Sequence, residues 1–155
     1  MANRTKLHPT FAANVARWAR GEITWAQVEG FTSQQARDFA RAAYDLARKG
    51  QYKKSATILE GLLAMNPYDH ASRASLGAVY QRLGRTADAS REYDQAIAIN
   101  GRNVVALANR GELRIQRGDP RGAEDLRKAV EFDPRLTTAS ARRARSVLSS
   151  MKNQA

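Results

Sequence analysis

No cysteine occurs anywhere in the 155 residues, which excludes a disulfide framework, a thiolate zinc site and a cysteine nucleophile, and suits a reducing compartment. Histidine is scarce too. His8 and His70 stand alone, with no ligand or nucleophile at useful spacing, so a metal centre of the His-x-x-x-His kind has no donors. A glycine-rich phosphate loop and a Gly-x-Ser-x-Gly elbow are missing, and the acidic side chains alternate with Arg and Lys as on solvated helix faces. No catalytic activity, cofactor or metal is therefore expected. Only four prolines are present, which disfavours a loop-rich fold, and nowhere do about 18 apolar residues run together. The opening MANRTKLHPTFAANVARW has no apolar run of signal-peptide length after Arg4 and Lys6. The expectation is a soluble cytosolic protein with no membrane-inserted segment.

What is present is the composition of a globular domain, 43% apolar and 26% charged. A chain of this length can bury roughly 68–70% of its unfolded surface around one core. The net charge of +11 is unevenly spread: residues 1–35 carry +2, residues 36–134 carry +4 and residues 135–155 carry +5 with no acidic residue. Such a balance favours acidic partners or nucleic acid, but it governs association and not fold.

Internal periodicity organises the middle of the chain. Gly50, Gly84 and Gly118 follow one another at 34-residue intervals, each after a helix-like stretch. Glycine there can adopt the left-handed conformation that ends a helix. Around each glycine a helix, a tight turn and a second helix recur, as in FARAAYDLARKGQYKKSATILEGLLAMNP. Small residues stand where the two helices would cross, Ala43, Gly77 and Gly111 facing Ser55, Ala89 and Ala123. Asn66-Pro67, Asn100-Gly101 and Asp133-Pro134 close the units. The third unit is one residue short, 16 from Gly118 to Pro134 against 17 from Gly50 to Pro67, and the deletion is placed in the turn Gly118-Asp119-Pro120 with Pro120 in the first turn of the next helix. Phe39, Tyr44, Leu46, Ile58, Leu59, Leu62, Leu63, Leu76, Val79, Tyr80, Tyr93, Ile97, Leu107, Leu113 and Leu126 fall at helical spacing and are expected in the core.

This pattern resembles the tetratricopeptide repeat, whose unit is a 34-residue helical hairpin. The resemblance implies an all-α solenoid: an N-terminal helical arm over 1–35, three hairpins over 36–69, 70–103 and 104–134, and a basic capping helix and tail over 135–155. In the arm, Thr10 would cap a helix over Phe11 to Arg20, and Thr24 with Gln27 would form a capping box over Trp25 to Glu29. Thr32 with Gln35 repeats that signature ahead of the first repeat. Thr137 or Thr138 would start a last helix running to about Met151. Arg142, Arg143 and Arg145 lie close together on it with no aromatic beside them, so the segment reads as a charged cap ahead of a nucleic-acid surface.

Between Gly21 and about Val130 the order of motifs is similar to that of the class II chaperones of bacterial type III secretion systems. GEITWAQVEGFTSQQ resembles their pre-repeat segment, FARAAYDLARKGQYKKSA their first repeat, NPYDHASRASLGAVYQRLG their second and GELRIQRGDPRGAEDL their third. The likeness implies a chaperone that holds an extended apolar segment of a translocator-like client in a concave groove. By analogy with the repeat, the inward positions are Arg37, Ala40, Tyr44 and Ala47, then Ala71, Ala74, Ala78 and Gln81, then Val105, Ala108, Glu112 and Ile115. Arg37, Gln81 and Glu112 would bond the client backbone. A homodimer through Phe11, Val15, Trp18 and Trp25 is one reading of the aromatic arm; packing of both tryptophans on the first repeat is the other. A grip on a C-terminal carboxylate is disfavoured, because Ala40, Tyr44, Ser75 and Val105 occupy four of the positions where such clamps resemble one another in Lys, Asn and Arg. A general scaffold in a bacterial multiprotein assembly is the competing reading, and nucleic-acid association ranks third.

Overall fold

The computed structural model describes residues 30–153 continuously, together with residues 13, 14, 17 and 19–22 of the arm. Seven named helices make up the continuous part, and no strand occurs among the described residues. They are α1 Ser33–Arg48, α2 Tyr52–Met65, α3 His70–Arg82, α4 Thr86–Ile99, α5 Val104–Gln116, α6 Arg121–Phe132 and α7 Ala139–Lys152. Helices pair in sequence as three hairpins, each hairpin packs on the next, and α7 packs on both α5 and α6. The tetratricopeptide arrangement expected from the periodicity is thus the observed one. In the arm, Ala13, Asn14, Arg17 and Ala19 are helical; the segment Trp25 to Glu29 lies outside the described residues.

Local chemistry places the helix ends. The Thr32 hydroxyl accepts from the Gln35 amide at 3.1 Å while the Gln35 side chain accepts from the Thr32 amide at 2.8 Å, a reciprocal capping box that starts α1. Asp69, Asn103 and Thr138 cap α3, α5 and α7 by accepting from backbone N–H groups of the first turn. Gly50, Gly84 and Gly118 sit at φ of 75°, 75° and 73°, the left-handed conformation that lets each first helix stop and its partner turn back. Pro120 occupies the position just before α6 with helical backbone angles, and α6 has 12 residues against 14 in α2 and α4. The shortened third unit therefore loses length at the start of its second helix.

The hairpins close through small residues. Ala43 and Ser55 are both fully buried, and the Ser55 hydroxyl donates to the Ala43 carbonyl at 2.8 Å. Gly77 lies against the ring of the fully buried Tyr93, where an added Cβ would come within 2.5 Å of Cε1. In the third hairpin the tightest approach falls on Gly111 and Gly122, one residue ahead of the expected Ala123: a Cβ on Gly111 would meet the Gly122 carbonyl at 2.9 Å and Leu126 Cδ2 at 2.8 Å.

Two apolar clusters follow from this packing, one built on Leu59, Leu62, Leu76, Val79, Tyr80 and Tyr93, the other on Leu107, Leu126, Ala129 and Ala144. Three residues expected in the core are outside both clusters, Leu46 being only half-buried. Phe39 is 49% exposed, stacked on Phe31, and Tyr44 is 64% exposed on the concave side. In the third repeat Arg110 and Arg114 stand where the second has Leu76 and Tyr80, 34 residues earlier. Both close on the buried Asp125: Arg110 donates through Nε at 2.9 Å and Nη2 at 2.7 Å, and Arg114 through Nη1 at 2.8 Å. Arg110 also reaches Asp94 at 2.7 Å, tying α4 to the pair. An ion cluster replaces an apolar contact, and removing its shared carboxylate would leave buried charge uncompensated.

Because the Gly111–Gly122 contact is backbone against backbone, it has no flexible atom to yield. Replacing Gly111 with Ala is expected to destabilise the protein by roughly 1–3 kcal/mol through overpacking, whereas Ala at the open surface position Gly61, where an added Cβ meets nothing within 4 Å, is expected to be neutral or slightly stabilising. Urea denaturation of the two variants checks this; equal midpoints would contradict it.

Candidate functional site

A trough of about 330 Å³ lies between α1 and α3, floored by α2 and reaching Val105 at the start of α5. Its lining is Ala40, Tyr44, Ala47, Arg48, Tyr52, Ser55, Leu59, Ser75, Ala78, Val79, Arg82 and Val105. No acidic side chain is among them. Ala40, Ala47 and Ala78 make its sides small and apolar, while Tyr44 stands out from α1 with the Arg48 guanidinium 5.9 Å from its ring centre.

Of the inward positions expected from the repeat, Ala40, Tyr44, Ala47, Ala78 and Val105 come together in this trough. The others do not join them. Arg37 is exposed on the first turns of α1, donating to Gln34 at 2.8 Å, and Ala71 is exposed outside the lining. Ala74 at 2% and Ala108 at 0% exposure are interior residues, covered by the packing of successive hairpins, and cannot touch a ligand in this arrangement. The Gln81 carbonyl accepts from the Tyr93 hydroxyl at 3.0 Å. Burial pushes that phenol well above its ordinary range, so it acts as a neutral donor. Ile115 packs half-buried on the second core cluster and on Gly122. Phe11, Val15, Trp18 and Trp25, expected at a dimer contact, lie outside the described residues.

Glu112 is engaged from an unexpected quarter. Arg143 of α7 donates to Glu112 at 3.2 Å through Nε and to Asn109 at 2.8 Å through Nη2. Since α7 also lays Ala144 over Ala108 and Leu107, it covers the inner face of the third repeat. The open groove is consequently confined to the first two repeats and the entrance of α5. Repeat analogy missed Arg48 and Arg82, each one residue past the last inward position and 34 residues apart. A helix advances about 100° per residue, so those side chains still reach the groove rim; the 34-residue spacing was the available signal.

With this geometry in hand, the chain can be set beside known proteins. The sequence pattern of the bacterial transcriptional activator domain matches residues 9–104, more than half of the chain. The chain belongs to that family. It is also 36% identical over 100 residues to the DnaJ protein P58IPK homolog A of Oryza sativa subsp. japonica, covering 61% of this chain and 21% of the relative. The chain thus spans about a fifth of the length of the curated relatives it matches. Among solved structures it is similar to the type III secretion translocator chaperone SycD of Yersinia enterocolitica, with a TM-score of 0.72 at 19% identity over 83% of this chain and 98% of that one. PcrH in complex with the chaperone binding region of PopD gives a TM-score of 0.69 at 20% identity over 81% and 96% of the two chains. The fold is the helical tetratricopeptide solenoid that these chaperones share.

The bacterial transcriptional activator domain match takes in the arm and the two repeats that hold nearly all of the trough; α7 and its closure of the third repeat fall beyond it. What seats α7 is Asp133. One carboxylate oxygen accepts from the amide and hydroxyl of Thr137 at 3.0 and 2.9 Å, the other from the amide and hydroxyl of Thr138, both at 2.8 Å. The Thr138 hydroxyl in turn accepts from the Ala141 amide at 3.1 Å, starting α7. Hydrogen bonds from the Thr138 and Thr137 amides hold the Asp133 carboxyl down to about 2, against an ordinary value of about 3.9.

A carboxyl with a depressed folded-state pKa adds stability that is present in full above its unfolded value and is lost as pH falls through the folded one. Asp133→Asn should therefore lower the melting temperature at pH 7, with the gap to wild type narrowing from about pH 4 towards pH 2. A gap that stays constant down to pH 2 would contradict the role of the charge.

Proposed function

We propose that the chain is a non-catalytic, cytoplasmic peptide-binding chaperone that holds an extended apolar segment of a client protein in the trough between α1 and α3. The observation that carries this reading is the trough itself: an open apolar channel lined by Ala40, Ala47, Ala78 and Val105, with the largely exposed ring of Tyr44 beside it. Exposed aromatic surface next to small side chains suits an extended peptide whose spaced apolar residues drop between the helices. PcrH, similar in fold, is solved with the chaperone binding region of PopD, and SycD with a peptide of the translocator YopD. A translocator-like client kept from aggregating is the finer form of the proposal.

A second reading has its own support. Membership of the bacterial transcriptional activator domain family favours an adaptor in a bacterial regulatory assembly, using the same trough for a segment of a partner and not for a secreted client.

Both readings put the peptide in one place, which a substitution can test. The probe is a dye-labelled peptide of about twelve residues, capped at both ends, with leucines every third residue among Ser and Gln. Ala78→Glu should weaken its binding at least ~10-fold, because a charged side chain would have to be desolvated in the trough. Tyr44→Ala should cost about 2 kcal/mol of affinity if the ring is an anchor. Circular dichroism should stay at wild-type helicity for both. Wild-type affinity in Ala78→Glu would overturn the proposal.

A further inference from the structure

The trough is charged at one end only. Arg48 and Arg82, the last residues of α1 and α3, stand on its rim. Tyr52 belongs both to the trough and to an adjoining cleft at the turn of the first hairpin, which Lys53 and Lys54 line together with Leu83. Arg48 and Arg82 thus stand at that end of the trough, with Lys53 and Lys54 in the cleft beyond Tyr52. Among the described residues none of the four takes part in an ion pair, although most arginines of the neighbouring hairpins do: Arg73 is held by Glu92, Arg85 by Asp88, Arg110 by Asp94 and Asp125. No carboxylate lines either the trough or the cleft.

From this asymmetry we infer that the segment bound in the trough is apolar along the alanine-lined walls and carries internal Asp or Glu side chains at the end that lies over Arg48 and Arg82. The inference rests on the trough being the peptide site and adds to it the direction and charge of the occupant. A guanidinium pair suits carboxylates because each can donate two parallel N–H groups. The apolar run gives contact area, and the acidic end fixes polarity along the groove. Exposed charge pairs of this kind act more on encounter rate and register than on raw affinity, and their effect fades with salt.

The test uses the full chain and three dye-labelled peptides, each amidated and acetylated, sharing one leucine-bearing core and differing at one end in a pair of Glu, Gln or Lys, with each peptide also made in the reverse order. Anisotropy at low salt should show Glu at one end binding about 3–10-fold tighter than Gln, and Lys weaker still, the Glu advantage shrinking at high salt. In the Arg48→Gln, Arg82→Gln double variant the Glu peptide should fall to within about twofold of the Gln peptide. Equal affinities for Glu and Gln in wild type, or a gap that survives the double variant, would overturn this inference and leave the trough as the peptide site. Failure of the Gln peptide to bind wild type, or full binding of either peptide to Ala78→Glu, would instead overturn the trough reading and this inference with it. Displacement of the Glu peptide by a short single-stranded oligonucleotide at equal charge would also count against internal acidic side chains as the ligand.

Discussion

How closely two helices of a hairpin can lie is the constraint on which the groove depends. Fully buried Ala43 and Ser55 set that distance in the first hairpin, Gly77 under Tyr93 in the second, and Gly111 against Gly122 in the third. Each crossing angle fixes where the first helix presents its concave side to the next repeat. Because α1 and α3 are held back against α2 and α4, a channel is left between them whose sides carry Ala40, Ala47 and Ala78. Bulk at a crossing would push the helices apart and fill or split that channel, so stability and binding surface rest on the same small side chains.

The positive charge plays a different part from the one its abundance suggests. In α7, which carries four of the five cations of residues 135–155, Arg143 is spent on Glu112 and Asn109, and Arg142 donates to the carbonyls of Leu136 and Thr137 at 2.8 and 2.9 Å. Arg110 and Arg114 are likewise committed to Asp125. These arginines build the third repeat and its cover, which turns a repeat that would extend the groove into one that ends it. The cations left without an acidic partner at the groove are those at the far end of α1 and α3 and the start of α2, beside the trough.

The sequence made the architecture legible because the features that specify it are local and repeated. Glycines at 34-residue spacing, the Thr32–Gln35 box and the small residues at each crossing each act within a few residues of where they stand, and each appears in the structure as expected except the third crossing, which falls on Gly122 one residue before Ala123. Of the inward positions that repeat analogy gives, Ala40, Tyr44, Ala47, Ala78 and Val105 line one trough, where the neighbouring helix is another repeat helix. Ala108, Glu112 and Ile115 lie outside that trough, because α7 packs onto both helices of the third hairpin and no repeat consensus carries that contact. Ala74 was lost for a related reason: a methyl group is small enough for the next hairpin to close over it. Arg48 and Arg82 were missed because the analogy stops one residue before them, although a long side chain on the next residue still reaches the rim.

The central claim is that ligand enters between α1 and α3 and stops short of the third repeat. Methyl-labelled NMR titration with the leucine-bearing capped peptide tests it residue by residue. The account predicts that the methyls of Ala40, Ala47, Ala78 and Val105 shift while those of Ala74, Ala108 and Ala144 stay in place. Shifts concentrated on Ala108, Ile115 and Ala144, with Ala47 and Ala78 unmoved, would contradict it.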